Sequence, residues 1–317
     1  MELTIEEHQT NVKPTFSLLE VIPNMNQAGG VDVLHAEELD EVTFQKLYVQ
    51  KNKACIIKGA VEHWPAFEKW KSKEYLQNHT DNSDVEVYTH VNYIDSEMQE
   101  DGKEIMKFHD ALDRLYEHTD DVFSIPSEEI TDQSHLKGVK TDVLAFKFLK
   151  NAPFPRIYPR VRVFTYRQAS TSWHYHDMDE TLMCQVKGTK RVGLLPPTIP
   201  NTKEISLFLQ HEDYLKGKTL DAKLQLNPMM VDVEAGDALY IPPYWYHGVV
   251  PVDDEIGYTV AFCWKSPLHK LGNFSSYYVR QLFKQAVTPF NKFTLIYPFI
   301  ALVAGVSYLI NKIIGRA

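Results

Sequence analysis

The stretch SWHYHDMDE, residues 172–180, holds two histidines and three carboxylates beside a tryptophan. His174 and His176 stand two apart. In an extended chain, side chains two apart point to one face of a sheet, so this pair can chelate a metal ion. A third imidazole, His247, lies in GDALYIPPYWYHGVV, residues 236–250, where Gly236-Asp237 reads as a hairpin turn and Pro242-Pro243 as the end of a strand. A fold that sets this segment opposite the pair brings three nitrogen donors together. Acidic residues at the density of 177–180 otherwise mark a solvated loop.

Such a meeting needs a β framework, and the sequence supplies one. From residue 141 onward it breaks into short runs separated by turn residues: VLAFKFL, RVRVFTY, TLMCQV, KRVGLLPP, MMVDVEAGDALYIPP, WYHGVVPV and IGYTVAFCW. The spacing predicts a mainly β sandwich or barrel with helices outside it. Upstream, ELDEVTFQKLYVQ (38–50) has helical spacing, ACIIKGA (54–60) reads as a buried strand, and HWPAFEKWKSKEYLQ (63–77) as a turn and a second helix. The first 30 residues read as loosely structured. Residues 198–230, with Lys203, Lys216, Lys218 and Lys223, read as an insertion that shapes substrate access. Tyr244, Trp245 and Tyr246 read as core, with the mouth of the site as the alternative.

Length and composition fit one main domain with additions. The chain has 317 residues, 44% hydrophobic and 24% charged, enough to bury a large core. Its net charge of −9 provides no basic field for gripping nucleic acid nonspecifically. Cys55, Cys184 and Cys263 are scattered, which suggests neither a disulfide framework nor a thiolate zinc site. The acidic start MELTIEEHQT does not read as a secretory or transit signal.

The far end is different. Residues 293–310, FTLIYPFIALVAGVSYLI, carry no charge and are bounded by Lys292, Lys312 and Arg316. A helix of that length spans about 27 Å, close to the roughly 30 Å of a bilayer's hydrocarbon core. The expectation is a single-pass C-terminal tail anchor with the main domain facing the cytoplasm. The alternative is a helix buried in a homodimer interface.

Four segments resemble the jumonji-C hydroxylases of the cupin superfamily, of the small hydroxylase type: KGAVEHWPAFEKW (58–70), WHYHDMDETLMCQVKGTKRVGLLPP (173–197), EAGDALYIPPYWYHGV (234–249) and YTVAFCWK (258–265). The resemblance implies a double-stranded β-helix (jelly roll) over residues 31–280 with a helical N-terminal part, followed by a C-terminal apolar helix over 281–317. It also implies an Fe(II)- and 2-oxoglutarate-dependent oxygenase that hydroxylates a protein side chain, a tRNA base or a small molecule. The rival reading is a noncatalytic metal-binding scaffold of the same fold.

The family's iron ligands are His-x-Asp/Glu plus a distal His. His247 matches the distal member. The proximal pair falls on Tyr175 and Asp177 in one alignment, and on His174 and His176 if the loop carries one extra residue. The second is adopted here because it keeps His174. Asp177 stays within reach of the metal by a small rotation of the loop. Lys190 matches the lysine that pairs with the distal carboxylate of 2-oxoglutarate, and Thr171 resembles the hydroxyl that assists it. Where several relatives have asparagine on the last strand, this chain has Ala261.

Overall fold

Valine, isoleucine and aromatic residues dominate the runs after residue 160, and these residues favour a pleated, buried surface. The computed structural model describes residues 17–89, 93–94, 102–117, 121–199, 201–224, 226–287 and 296–315. The first sixteen positions of the N-terminal segment, and Lys292, Phe293 and Arg316 of the tail, lie outside them. Fourteen strands are found among the described residues: β1 (Asp32–His35), β2 (Cys55–Lys58), β3 (Asp84–Thr89), β4 (Tyr93–Ile94), β5 (Lys103–Lys107), β6 (Phe123–Glu129), β7 (Val161–Arg167), β8 (Ser170–His174), β9 (Asp179–Lys187), β10 (Lys190–Leu195), β11 (Met229–Val233), β12 (Ala238–Ile241), β13 (Tyr246–Pro251) and β14 (Gly257–Lys265).

They form two sheets. The nine-stranded sheet runs β1-β2-β12-β9-β14-β7-β6-β3-β5, and the five-stranded sheet runs β11-β10-β13-β8-β4. Strands from β8 onward pass back and forth between the sheets, a mainly β arrangement consistent with a cupin or jelly-roll fold. Eight of the nine residues of β9 are buried because both of its faces are covered. Met183, Val192, Leu194, Leu239, Ile241 and Val249 fill the space between the sheets. The outer face of the large sheet packs against the helices through Phe44, Trp64, Trp70, Phe146 and Phe148.

Several local expectations shift. VLAFKFL is not a strand: Phe146 and Leu149 make only an isolated bridge, and Phe146, Phe148 and Leu149 serve as aromatic and aliphatic core. The helix expected over 38–50 is a single α turn, Glu41–Phe44, continued by a π turn, Gln45–Val49. Residues 17–30 form two 3-10 turns, Leu18–Val21 and Met25–Gln27, whose Leu18, Leu19 and Met25 are buried on the small sheet. Trp173 Nε1 donates to Leu18 O at 2.8 Å and fixes that segment.

The membrane anchor is not sustained. The last helix runs Ile296–Ile313, and no helix of the described residues is long and apolar enough to cross a membrane. Its uncharged part, 296–311, spans only about 24 Å at 1.5 Å per residue, and Ser307, Asn311 and Lys312 occupy its last turns. The helix also docks on the body. Ala304 is fully buried, and a Cβ on Gly272 would meet its carbonyl oxygen at 1.9 Å. The tail-anchored localisation and cytoplasmic orientation that rested on a spanning segment fall with it.

Candidate metal centre

The ladder between β8 and β13 pairs His174 with His247. After His174 the chain leaves the small sheet through a tight turn in which Met178 adopts a left-handed φ of 60°. That turn aims His176 back at the other two rings. Ring centroids lie 4.1 Å apart for His174 and His247, 4.8 Å for His176 and His247, and 5.2 Å for His174 and His176. One ring nitrogen from each residue falls within 4.8 Å of the others.

The hydrogen bonds decide which nitrogens are free. Nδ1 of His174 donates to Ser172 O at 2.8 Å, and Nδ1 of His247 donates to Trp245 O at 3.0 Å. A carbonyl only accepts, so both protons sit on Nδ1 and both Nε2 lone pairs are available. His176 Nδ1 meets Thr181 Oγ1 at 3.0 Å. Burial and the neighbouring imidazoles hold His176 and His247 well below the ordinary histidine range, so both are neutral at neutral pH. Neutral, pre-oriented imidazoles are the form that binds a transition metal, and the outer hydrogen bonds fix their aim. The donor set fits a metal ion.

Asp177 lies outside this group. It lines a neighbouring cavity of about 340 Å³ with Tyr175, Gln210 and Glu212, and that cavity shares His174 and Tyr158 with the metal site. Burial raises the Asp177 carboxyl. Asp179 is structural: its carboxylate accepts the backbone N–H groups of Arg156 and Ile157 at 2.7 Å and of Tyr158 at 3.2 Å.

The three histidines open into a cavity of about 290 Å³ that Thr171 and Lys190 also line, with Met183, Ile241, Val249 and Ala261 as apolar wall. A turn at Gly188, φ 75°, starts β10 at Lys190; a Cβ there would press on Gly257 Cα at 3.2 Å. Lys190 is 4% exposed, and burial pushes its ammonium down to about 7. It lies over the Tyr166 ring at 3.8 Å and forms no ion pair among the described residues. A buried cation without an acid is costly, and an anionic ligand relieves it. On β10, Leu194 pairs with His247 and Lys190 comes four residues earlier on the same face. About 13 Å of strand therefore separates the lysine's origin from the imidazoles.

The sequence reading missed Arg162, Tyr158, Ser127 and Thr259, all on the cavity wall. Only Arg162 left a signal, as a charge within RVRVFTY on the same strand face as Phe164 and Tyr166. The 198–230 segment presents Leu209, Gln210 and Glu212 to the neighbouring cavity, while its lysines stay exposed.

A model of the cupin-like domain matches residues 41–269. The chain is 23% identical to Jumonji C domain-containing protein 5 of Drosophila melanogaster, over 78% of this chain and 63% of that protein. It is 25% identical to tRNA wybutosine-synthesizing protein 5 of Homo sapiens, over 71% of this chain and 75% of that protein. Against Lysine-specific demethylase JMJ30 of Arabidopsis thaliana it is 23% identical, over 70% of this chain and 52% of that protein. The chain thus spans roughly half to two thirds of the Drosophila and Arabidopsis relatives.

Proposed function

We propose, from the premise that this chain belongs to the cupin-like domain family, that it is an iron- and 2-oxoglutarate-dependent oxygenase. The observation that carries this reading is one cavity with three convergent imidazoles at one end and the buried, acid-free Lys190 at the other.

In this reading His174, His176 and His247 hold the iron. The ammonium of Lys190, assisted by the hydroxyl of Thr171, binds the distal carboxylate of the cosubstrate through a charge-assisted contact. Once bound, the pair supplies oxidative decarboxylation to succinate and carbon dioxide, coupled to oxygen insertion into a substrate C–H bond. The chain's own contribution is positional. Ser172 O and Trp245 O keep two imidazoles in the ligating tautomer. Met183, Ile241 and Val249 keep the wall apolar and limit competing water. The relatives' names point to tRNA in one case and lysine in another, so the substrate class is open between nucleic acid, protein and small molecule.

One observation favours a second reading, a noncatalytic metal-binding scaffold. Three imidazoles leave the metal one negative charge poorer than two imidazoles and a carboxylate, which alters its potential and its hold on an anionic cosubstrate. Succinate formation by the full chain with Fe(II) and 2-oxoglutarate in air, beside His174→Ala, separates the two. Succinate that disappears in the variant supports the oxygenase; bound metal without succinate supports the scaffold.

A further inference from the structure

Among the described residues, one charged side chain besides Lys190 lines the metal cavity: Arg162 on β7. It shares a strand face with Phe164 and Tyr166. Because Tyr166 carries the Lys190 ammonium and stands four residues further on, Arg162 originates about 13 Å from that end. The two cations mark opposite ends of the cavity. Arg162 stands at the metal end: the Tyr158 ring it stacks on lies 5.4 Å from the His176 ring, centroid to centroid.

No carboxylate answers the guanidinium among the described residues; its side-chain partners there include the Cys263 thiol and the Ser127 hydroxyl, both neutral. The guanidinium stacks against Tyr158 and Phe164, 5.0 and 5.5 Å from the ring centroids. One Nη1 contact reaches Ser127 Oγ at 3.3 Å, and the buried Nε has no hydrogen-bond partner. Glu129 is its ladder neighbour on β6, yet Arg162 makes no ion pair among the described residues. On the other side its ladder neighbour is Ala261, which leaves room for an occupant. A bulge in β6 between Ile125 and Glu128 carries Ser127 at φ 43°, and the bulge sets this hydroxyl on the cavity wall. Strained residues of this kind concentrate at binding sites.

We propose that Arg162, with Ser127, receives the carboxylate adjacent to the keto group of 2-oxoglutarate, while Lys190 receives the distal one. The proposal rests on the cosubstrate reading above. It follows from charge: three imidazoles bring no anion to the metal end, so a carboxylate placed there meets metal and guanidinium together. A planar guanidinium matches a carboxylate in a way that a neutral side chain does not.

The test uses the full chain loaded with Mn(II) and measures displacement of 2-oxoglutarate by two truncated analogues. 4-Oxopentanoate has a methyl in place of the carboxylate beside the keto group, and 2-oxopentanoate has a methyl in place of the distal one. Arg162→Gln should weaken 2-oxoglutarate and 2-oxopentanoate by about ten- to a hundredfold, the range for a lost charge-assisted bond. It should leave 4-oxopentanoate within about twofold, which also controls for folding. Lys190→Met should show the reverse pattern, and Arg162→Lys should recover part of the loss. Wild-type affinity for 2-oxoglutarate in Arg162→Gln overturns the proposal while the cosubstrate reading stands. Equal weakening of all three ligands also overturns it. No binding of 2-oxoglutarate by the wild type overturns the cosubstrate reading itself, and this proposal with it.

Discussion

His174 and His247 face each other across the β8–β13 ladder, and each donates its Nδ1 proton to the carbonyl two residues before it in the chain. The same local bond on two paired strands aims two Nε2 lone pairs into one cavity. His176 joins them from a turn rather than from a strand, so its contribution is the one that substitution tests best.

His176→Ala should lower metal stoichiometry sharply, whereas Asp177→Ala should leave it near that of the wild type. Metal content after loading and desalting reads this directly. Retention by His176→Ala with loss by Asp177→Ala would transfer the third ligand to the carboxylate.

Lys190 should make both stability and cosubstrate affinity depend on pH. Burial lowers it from 10.5 to about 7. Between those values the unfolded chain binds the proton and the folded chain does not, so stability rises with pH across that window. The slope is at most about 1.4 kcal/mol per pH unit, and the gain is complete above the unfolded value. Lys190→Met should flatten this slope in denaturant titrations. Binding an anion restores the charge, so above pH 7 affinity for 2-oxoglutarate should fall by up to about tenfold per unit. A pH-independent affinity from 6.5 to 8.5 would remove Lys190 from the cosubstrate site.

Asp179→Ala leaves three backbone N–H groups without their acceptor. An unsatisfied buried donor costs about 1–3 kcal/mol, and these are part-buried, so the total loss should be about 1–3 kcal/mol in urea unfolding. A loss under about 0.5 kcal/mol, ordinary for a surface residue, would mean that the 156–158 loop is held by other contacts.

Much of this was legible because strands have period two. That period put His174 in line for a partner, and turn residues bounded the segment that carries His247, whereas Lys190 was singled out by the family resemblance alone. It failed where both faces are buried: β9 is covered on either side, and alternation there says nothing about which face meets the cavity. It also failed at VLAFKFL, whose aromatic residues fill core from a turn. The choice between His176 and Asp177 is made in the turn after β8, where Met178 is left-handed, and no periodicity reveals it. The tail misled because hydropathy counts residues, while spanning needs an uninterrupted helix of sufficient length.

Gly272→Val should undock that last helix, since the new Cβ meets the Ala304 carbonyl at 1.9 Å and backbone must move. Overpacking of this kind costs about 1–3 kcal/mol. Hydrogen exchange should accelerate over Ile296–Ile313 and stay unchanged in β7 to β14. Unchanged protection of the helix would contradict the docked arrangement.

The central claim is that dioxygen is consumed against 2-oxoglutarate at the three-histidine centre, and its most direct test is the isotopic composition of the succinate. With Fe(II)-loaded full chain under ¹⁸O₂, the account predicts succinate carrying one ¹⁸O atom, formed by the wild type and absent with His247→Ala. Unlabelled succinate, or labelled succinate that persists in the variant, would contradict it.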